Sequence, residues 1–291
     1  MTVLCLGSIN IDHVYRVDHL PQPGETTTDD GYAIYLGGKG ANMSIAAAMS
    51  GGEVSHVGAV GSDGKWCLER LQAVDIDISE TATVSEVTGH AVIFVDRNAE
   101  NSIVIHPGAN RQVPRDAVLL ALGRRSLSDW LLVQNETNLV VEAAHAAKAK
   151  GMRVAYAAAP FDPIATTAVL PDTDLLAVNA IEARQLAMHL GVSADQLPVP
   201  AVVITEGAEG ARYRGPEGEI HQPAFPVVPV DTTGAGDTFL GVFLAALDQG
   251  QDVRKALQRA AAAAAIQVTR PGAADAIPTA EEIDAFLKDH A

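Results

Sequence analysis

The residues Asp231-Thr232-Thr233-Gly234-Ala235-Gly236-Asp237-Thr238 run without a break into Phe239-Leu240-Gly241-Val242-Phe243-Leu244. The second half reads as a helix, with apolar side chains recurring at helical spacing up to Leu247. The first half supplies a glycine turn that leaves the first N–H groups of that helix bare. Bare donors and the helix dipole together attract an anion such as phosphate. Asp237 is then the odd residue, because a carboxylate next to a phosphate site is repelled unless it has chemistry to do, such as taking a proton from an attacking hydroxyl. Residue type alone also permits an ordinary first-turn aspartate that suits the dipole.

A second glycine cluster lies upstream, Gly37-Gly38-Lys39-Gly40-Ala41-Asn42, and leads into a helical pattern from Met43 to Met49 that stops at Gly51-Gly52. It has neither the G-x-x-x-x-G-K-[ST] of a Walker A loop nor the G-x-G-x-x-G of a dinucleotide fold. Three glycines around one lysine allow a close backbone approach to a polar ligand, and Asn42 both donates and accepts hydrogen bonds. A plain tight turn before a helix is the alternative.

Around these two sites, apolar runs at Val3 to Ile9, Trp130 to Val133, Arg153 to Ala157, Leu175 to Val178 and Ala201 to Thr205 alternate with helical stretches such as 138–150 and 180–190. Strands interleaved with helices predict an α/β fold with a mostly parallel central sheet covered on both faces. Segments 12–36 and 90–106 differ: they alternate apolar and polar residues with no helix between strands. Val92, Phe94, Ile103 and Ile105 suit half-buried antiparallel strands, with Arg97-Asn98-Ala99-Glu100 as the turn. These segments predict a small β-sheet projecting as a lid from a single domain spanning residues 1–291. Residues 211–230 read as a hairpin, Ala260 to Ala265 as a small-residue helix face for close packing, and Thr279 as the cap of a last helix.

The composition narrows the function. Against 20 Lys+Arg stand 36 Asp+Glu, a net charge of −16 over 291 residues, which disfavours nucleic acid or an anionic membrane as the main partner. No apolar run approaches a membrane span, and the N-terminus has no signal-peptide pattern. Two cysteines, Cys5 and Cys67, make no disulfide framework and suit a reducing cytoplasm. Nine scattered histidines form no zinc motif, and there is no G-x-S-x-G elbow of a serine hydrolase.

Taken together, the two glycine segments, in this order and about 190 residues apart, resemble the two signatures of the ribokinase family, the PfkB-type carbohydrate kinases. Gly7-Ser8-Ile9-Asn10-Ile11-Asp12, Pro23-Gly24-Glu25-Thr26, Pro107-Gly108-Ala109-Asn110 and Val268-Thr269-Arg270 extend the similarity over essentially the whole chain. The resemblance implies a three-layer ribokinase-like fold and an ATP-dependent sugar kinase. Asp237 would be the catalytic base, and the Gly234, Ala235 and Gly236 backbone the anion hole for the transferring phosphoryl group. Sugar contacts would fall to Asn10, Asp12, Gly38, Lys39, Asn42 and Glu136. The nucleotide and its Mg²⁺ would be served by Asn179 and Glu182 in an N-x-x-E spacing, and by Thr205, Gly207 and Gly210. The retained hydroxyl contacts imply D-ribose as acceptor, giving ribose 5-phosphate and ADP. A deoxyribose, nucleoside or ketose kinase of the same family, or an inactive sugar-binding protein, are the alternatives. The lid of such kinases covers the sugar and often forms a homodimer contact.

The sequence departs from the family pattern at Val178 and Ala180-Ile181 around Asn179, at Met43 after Asn42, and at Ala261 near the expected adenine site. The resemblance also implies an activating K⁺ site using Asp231, Thr233, Gln267, Arg270 and Gly272, mainly through carbonyl oxygens. A sixth position, usually a hydroxyl, is Ala276, which predicts weakened K⁺ binding unless water or Asp275 substitutes.

Overall fold

A computed structural model describes residues 2–98 and 100–290. Ala99, in the predicted turn 97–100, lies outside the described residues. The chain opens with β1 (Thr2–Leu6), β2 (Asn10–Arg16), β3 (Gly31–Gly37), α1 (Lys39–Met49), β4 (Glu53–Val57), the short β5 (Ala59–Val60), α2 (Lys65–Gln72) and β6 (Ala82–Thr83). Then come β7 (Gly89–Val95), β8 (Asn101–His106) and α3 (Arg115–Gly123). Strands and helices alternate through β9 (Trp130–Gln134), α4 (Val140–Lys150), β10 (Arg153–Ala157), α5 (Pro163–Val169), β11 (Leu175–Asn179), α6 (Ala180–Leu190) and β12 (Ala201–Thr205). A hairpin of β13 (Ala211–Gly215) and β14 (Gly218–Gln222) precedes α7 (Ala235–Asp248), α8 (Val253–Val268) and α9 (Ala280–Asp289).

The large sheet has eight strands in the order β14-β13-β12-β11-β10-β9-β1-β4. It is parallel from β4 to β12, and antiparallel only at the β12-β13-β14 end. Because side chains alternate along a strand, each one feeds two cores. Val3 and Cys5 of β1 join α1, α7 and α8, whereas Leu4 and Leu6 join α3, α4 and α6. Alanines 260–263 and 265 are buried where α8 packs on α7, as the small-residue run predicts. Thr279 caps α9 in a capping box with Glu282.

Two expectations need correction. The first strand ends at Leu6, not Ile9, because the chain leaves the sheet to pass α1: a Cβ on Gly7 would lie 2.6 Å from the Gly40 Cα. The second concerns the small sheet, ordered β3-β2-β7-β8. Val92 pairs with Val104 and Phe94 with Ser102, while Ile103 and Ile105 face Ile93 and Ala91. Val92 and Phe94 therefore lie on the opposite face from Ile103 and Ile105, and β8 is exposed throughout, not half-buried.

Candidate active site

The carboxyl ends of β1, β9, β11 and β12 and the N-termini of α1 and α7 converge at one edge of the large sheet, where open α/β sheets bind ligands. Leaving β1, the chain places Ser8 under α1: its Oγ donates to Glu136 and accepts from the Gly40 N–H at 3.2 Å. Glu136, just past β9, also accepts from the Lys39 N–H at 3.1 Å. Its carboxylate thus serves the N-terminus of α1, whose own N-cap, Gly38, has no side chain to do so. Buried His56 fixes the same turn, donating from Nε2 to the Gly7 carbonyl at 3.1 Å and accepting from Ser44 at Nδ1 at 2.9 Å. Burial pulls its pKa down to about 4, so the ring is neutral.

Asp237 sits in the first turn of α7 and is buried. Asn42 of α1 donates from Nδ2 to Asp237 Oδ2 at 3.0 Å. Burial raises the Asp237 carboxyl above the ordinary range, the Lys39 ammonium and the Asn42 bond oppose this, and Glu136 and Glu182 push it further up. Lys39 is in turn held charged, chiefly by Asp237. Asp12 is pushed up to about 6 by burial and by the charge of Glu136, against Lys39. Asp12, Lys39, Glu136, Glu182 and Asp237 therefore form one electrostatically coupled group. Ahead of it, the Gly236 and Asp237 N–H groups have no partner among the described residues, and a Cβ at Gly236 would meet open space. The head of α7 has the bare donors and the room that an anion needs.

On the other side of the cleft, Asn179 and Glu182 make a capping box for α6: Asn179 Oδ1 accepts from the Ile181 and Glu182 N–H groups, and Glu182 Oε2 accepts from the Asn179 N–H at 2.8 Å. The N-x-x-E spacing is explained by this cap, and it leaves one Glu182 oxygen for a ligand. Thr205 ends β12, and Gly207 and Gly210 follow in the adjoining turn. Ala261, taken from the sequence as a nucleotide-side position, is buried in the core.

The residues of the implied K⁺ site also lie together beside Gly234. Asp231 accepts from the Thr233 and Gly272 N–H groups at 2.9 and 3.0 Å. Gln267 Nε2 donates to the Thr233 carbonyl at 3.0 Å, while Gln267 Oε1 is buried with no partner among the described residues, an acceptor oxygen suited to a cation. Ala276 is buried. Asp275 pairs with Arg70 at the surface, so its expected role as a replacement ligand is not supported.

Sequence reasoning missed Ser8, His56 and Asn110. Ser8 and Asn110 stood in segments noted for their resemblance, but nothing local indicated their partners. His56 stood in the scattered histidine set, with no motif to mark it.

A buried carboxylate bonded by an amide and under the charge of an ammonium, at the head of a helix with bare N–H groups, suits a phosphotransferase acting on a hydroxyl. Comparison with known proteins agrees. The model of the pfkB family carbohydrate kinases matches residues 2–280. A ribokinase of Haemophilus influenzae is 39% identical over 303 residues, covering 99% of this chain and 98% of its own. Among solved structures, ribokinase from Cryptococcus neoformans in complex with ADP superposes with a TM-score of 0.87 at 31% identity, covering 97% of this chain and 98% of that one. Arabidopsis thaliana ribokinase complexed with ribose and ATP gives 0.86 at 28% identity, with 98% of each chain covered. The chain belongs to the pfkB family of carbohydrate kinases.

Proposed function

We propose that the chain is an ATP-dependent ribokinase, transferring the γ-phosphoryl group of ATP to the 5-hydroxyl of D-ribose. The observation that carries this reading is Asp237, buried at the head of α7 and held by Asn42 beside Lys39. As a carboxylate, Asp237 takes the proton from the attacking sugar hydroxyl. Lys39 and the Asn42 bond favour its ionised form and offset part of the cost of burial, which raises its affinity for the proton. The backbone at Gly234 and Gly236 receives the charge that builds on the transferring group, whereas the Ala235 N–H, expected from the sequence to share in this, donates to the Thr232 carbonyl at 3.3 Å. Asn10, Asp12, Gly38, Lys39, Asn42 and Glu136 bind the sugar. Thr205, Gly207 and Gly210 line the nucleotide, with Asn179 holding Glu182 in place. The open Glu182 oxygen would help organise Mg²⁺ brought with the nucleotide, and the ion would supply charge neutralisation at the phosphates. The ribokinase relatives, with ADP in one structure and ribose and ATP in another, support the choice of substrates.

The small sheet acts as the lid of a single catalytic domain. Its inner face carries Asn10, Asp12, Ile93, Ile103 and Ile105 in register, and closing it over the sugar keeps water from competing as acceptor. Its outer face carries Tyr32, Ile34 and Val104, all exposed, and docks a second copy to form a homodimer. The carbonyls of Thr233, Gln267, Arg270 and Gly272, with Asp231, would hold an activating K⁺, whose charge would help shape the Gly234 turn. The protein works in the cytoplasm, in keeping with its two buried free thiols. Among the described residues, no helix is long and apolar enough to cross a membrane.

A coupled ADP-release assay over pentoses, hexoses and nucleosides tests the reading. D-Ribose is expected to give the highest kcat/KM. A higher value for 2-deoxyribose or a nucleoside would overturn the substrate, and no sugar-dependent ADP release would overturn the activity.

A further inference from the structure

We propose that Asn110 is a positioning residue that fixes which way round the Asn10 amide is held, making Asn10 a hydrogen-bond donor to the sugar. The inference rests on the sugar-kinase reading above and extends it. An amide looks alike from both ends, so its orientation must be set by a neighbour of known polarity. Here the reference is a backbone group. The Ile9 N–H can only donate, and it donates to Asn110 Oδ1 at 2.9 Å. Asn110 Nδ2 is thereby turned the other way, and it donates to Asn10 Oδ1 at 2.7 Å. With its oxygen turned toward Asn110, Asn10 directs the protons of Nδ2 to the other side.

The pair is sealed in. Asn110 is 2% exposed and Asn10 4%. Gly89 lies opposite Asn10 in the sheet, and a Cβ there would come within 2.1 Å of Asn110 Nδ2 and 2.6 Å of Asn10 Oδ1. Glycine at this position is what makes room for the amide pair. Two residues along β2, on the same face, Asp12 presents a carboxylate, which only accepts while ionised. The strand thus offers a donor and then an acceptor. The matching ligand has one hydroxyl whose oxygen accepts at Asn10 and another whose proton is given to Asp12. Reversing the amide would present a carbonyl oxygen instead, so the sugar hydroxyl would have to turn its proton to Asn10 and give up the acceptor that proton otherwise serves, which weakens the contact.

The test is calorimetric titration of D-ribose into the purified protein, with steady-state kinetics and a thermal melt beside it. Asn110→Asp still accepts from Ile9 N–H but cannot donate, so Asn10 must turn its Nδ2 toward it and present oxygen to the cleft. The expected result is a rise of about tenfold in the ribose Kd and KM, with kcat within about twofold and the melting midpoint nearly unchanged. Asn10→Asp, which keeps Asn110 but removes the donor, is expected to raise Kd equally. A folded Asn110→Asp protein with wild-type ribose affinity would overturn the proposal. So would full affinity in Asn10→Asp, which decides the matter alone if Asn110→Asp fails to fold. A wild-type protein that neither binds nor phosphorylates ribose would instead overturn the substrate assignment, and the same variants are then titrated with the best sugar of the panel.

Discussion

The cleft at the strand ends and the small sheet beside it are built on opposite terms. In the cleft, polar groups are held before any ligand arrives: Asp237 by Asn42, Glu136 by Ser8 and the Lys39 N–H, and Glu182 by Asn179. In the small sheet, β8 leaves Ile103, Val104 and Ile105 at 48%, 65% and 50% exposure. Chemistry that stabilises charge in a transition state gains from donors and acceptors fixed in advance. A surface that opens and closes gains from apolar area left to bury at the last step. The difference teaches that turnover should depend on the cleft, while sugar retention and exclusion of water should depend on the sheet.

The largest expected effect would break this division if it failed. Asp237→Asn keeps the shape but cannot take a proton, and kcat is expected to fall at least about a hundredfold with ribose binding retained. Steady-state kinetics and calorimetry on the purified variant check it. On the sheet side, Ile103→Ser with Ile105→Ser removes apolar cover from the inner face. Ribose KM is expected to rise several-fold, on the order of a few tenths to one kcal/mol per side chain, and ATP hydrolysis without sugar transfer to increase relative to phosphorylation. Comparing ADP release with ribose phosphate formed measures both.

A subtler effect is set by pH. Asp12 has a pKa near 6 in the folded protein against an ordinary 3.8. The native state therefore takes up this proton earlier than the unfolded chain, so between pH 4 and 6 the contribution of Asp12 to stability falls as pH rises. Ribose affinity should move the other way, weakening as pH drops through 6 and the acceptor is lost. His56 opposes Asp12 in stability: depressed to about 4 from 6.5, it contributes above pH 6.5 and loses that contribution as pH falls toward 4. Melting curves thus blend the two groups, and the discriminating measurement is ribose KM against pH. The acid limb near 6 is expected to disappear in Asp12→Asn. The smallest effect concerns K⁺. Ala276→Ser returns a hydroxyl to the carbonyl-rich turn and is expected to lower the KCl concentration for half-activation at constant ionic strength, and an unchanged value would remove Ala276 from the scheme.

The two regions also differed in how far the sequence could be read. The central strands of the large sheet, β1, β9, β10, β11 and β12, are short, mostly buried apolar runs and are evident from composition alone. β4 was not, because Glu53, Ser55 and His56 interrupt its apolar pattern: Ser55 bonds Asp77, and His56 is buried against Ser44 and Gly7. The glycine turns at 37–40 and 234–236 were legible, since bare N–H groups at a helix start have a direct consequence. Their supports were not. Ser8 to Glu136 spans 128 residues and Asn110 to Asn10 spans 100, and no local pattern encodes such distances. In β8 the faces could not be assigned because Ile103-Val104-Ile105 is a continuous apolar run, which alternation cannot divide. Register against β7 divides it, placing Ile103 and Ile105 with the inner face and Val104 with the outer.

Rapid-quench single turnover with radiolabelled ATP and D-ribose, run on the wild type, Asp237→Asn and the doubly substituted Ile103→Ser, Ile105→Ser protein, tests the division most directly. At saturating ribose, phosphoryl transfer should be slowed at least about a hundredfold in Asp237→Asn and be close to wild type in the sheet variant. A transfer rate in Asp237→Asn near that of the wild type, or a collapse of transfer in the sheet variant with ribose bound, would contradict it.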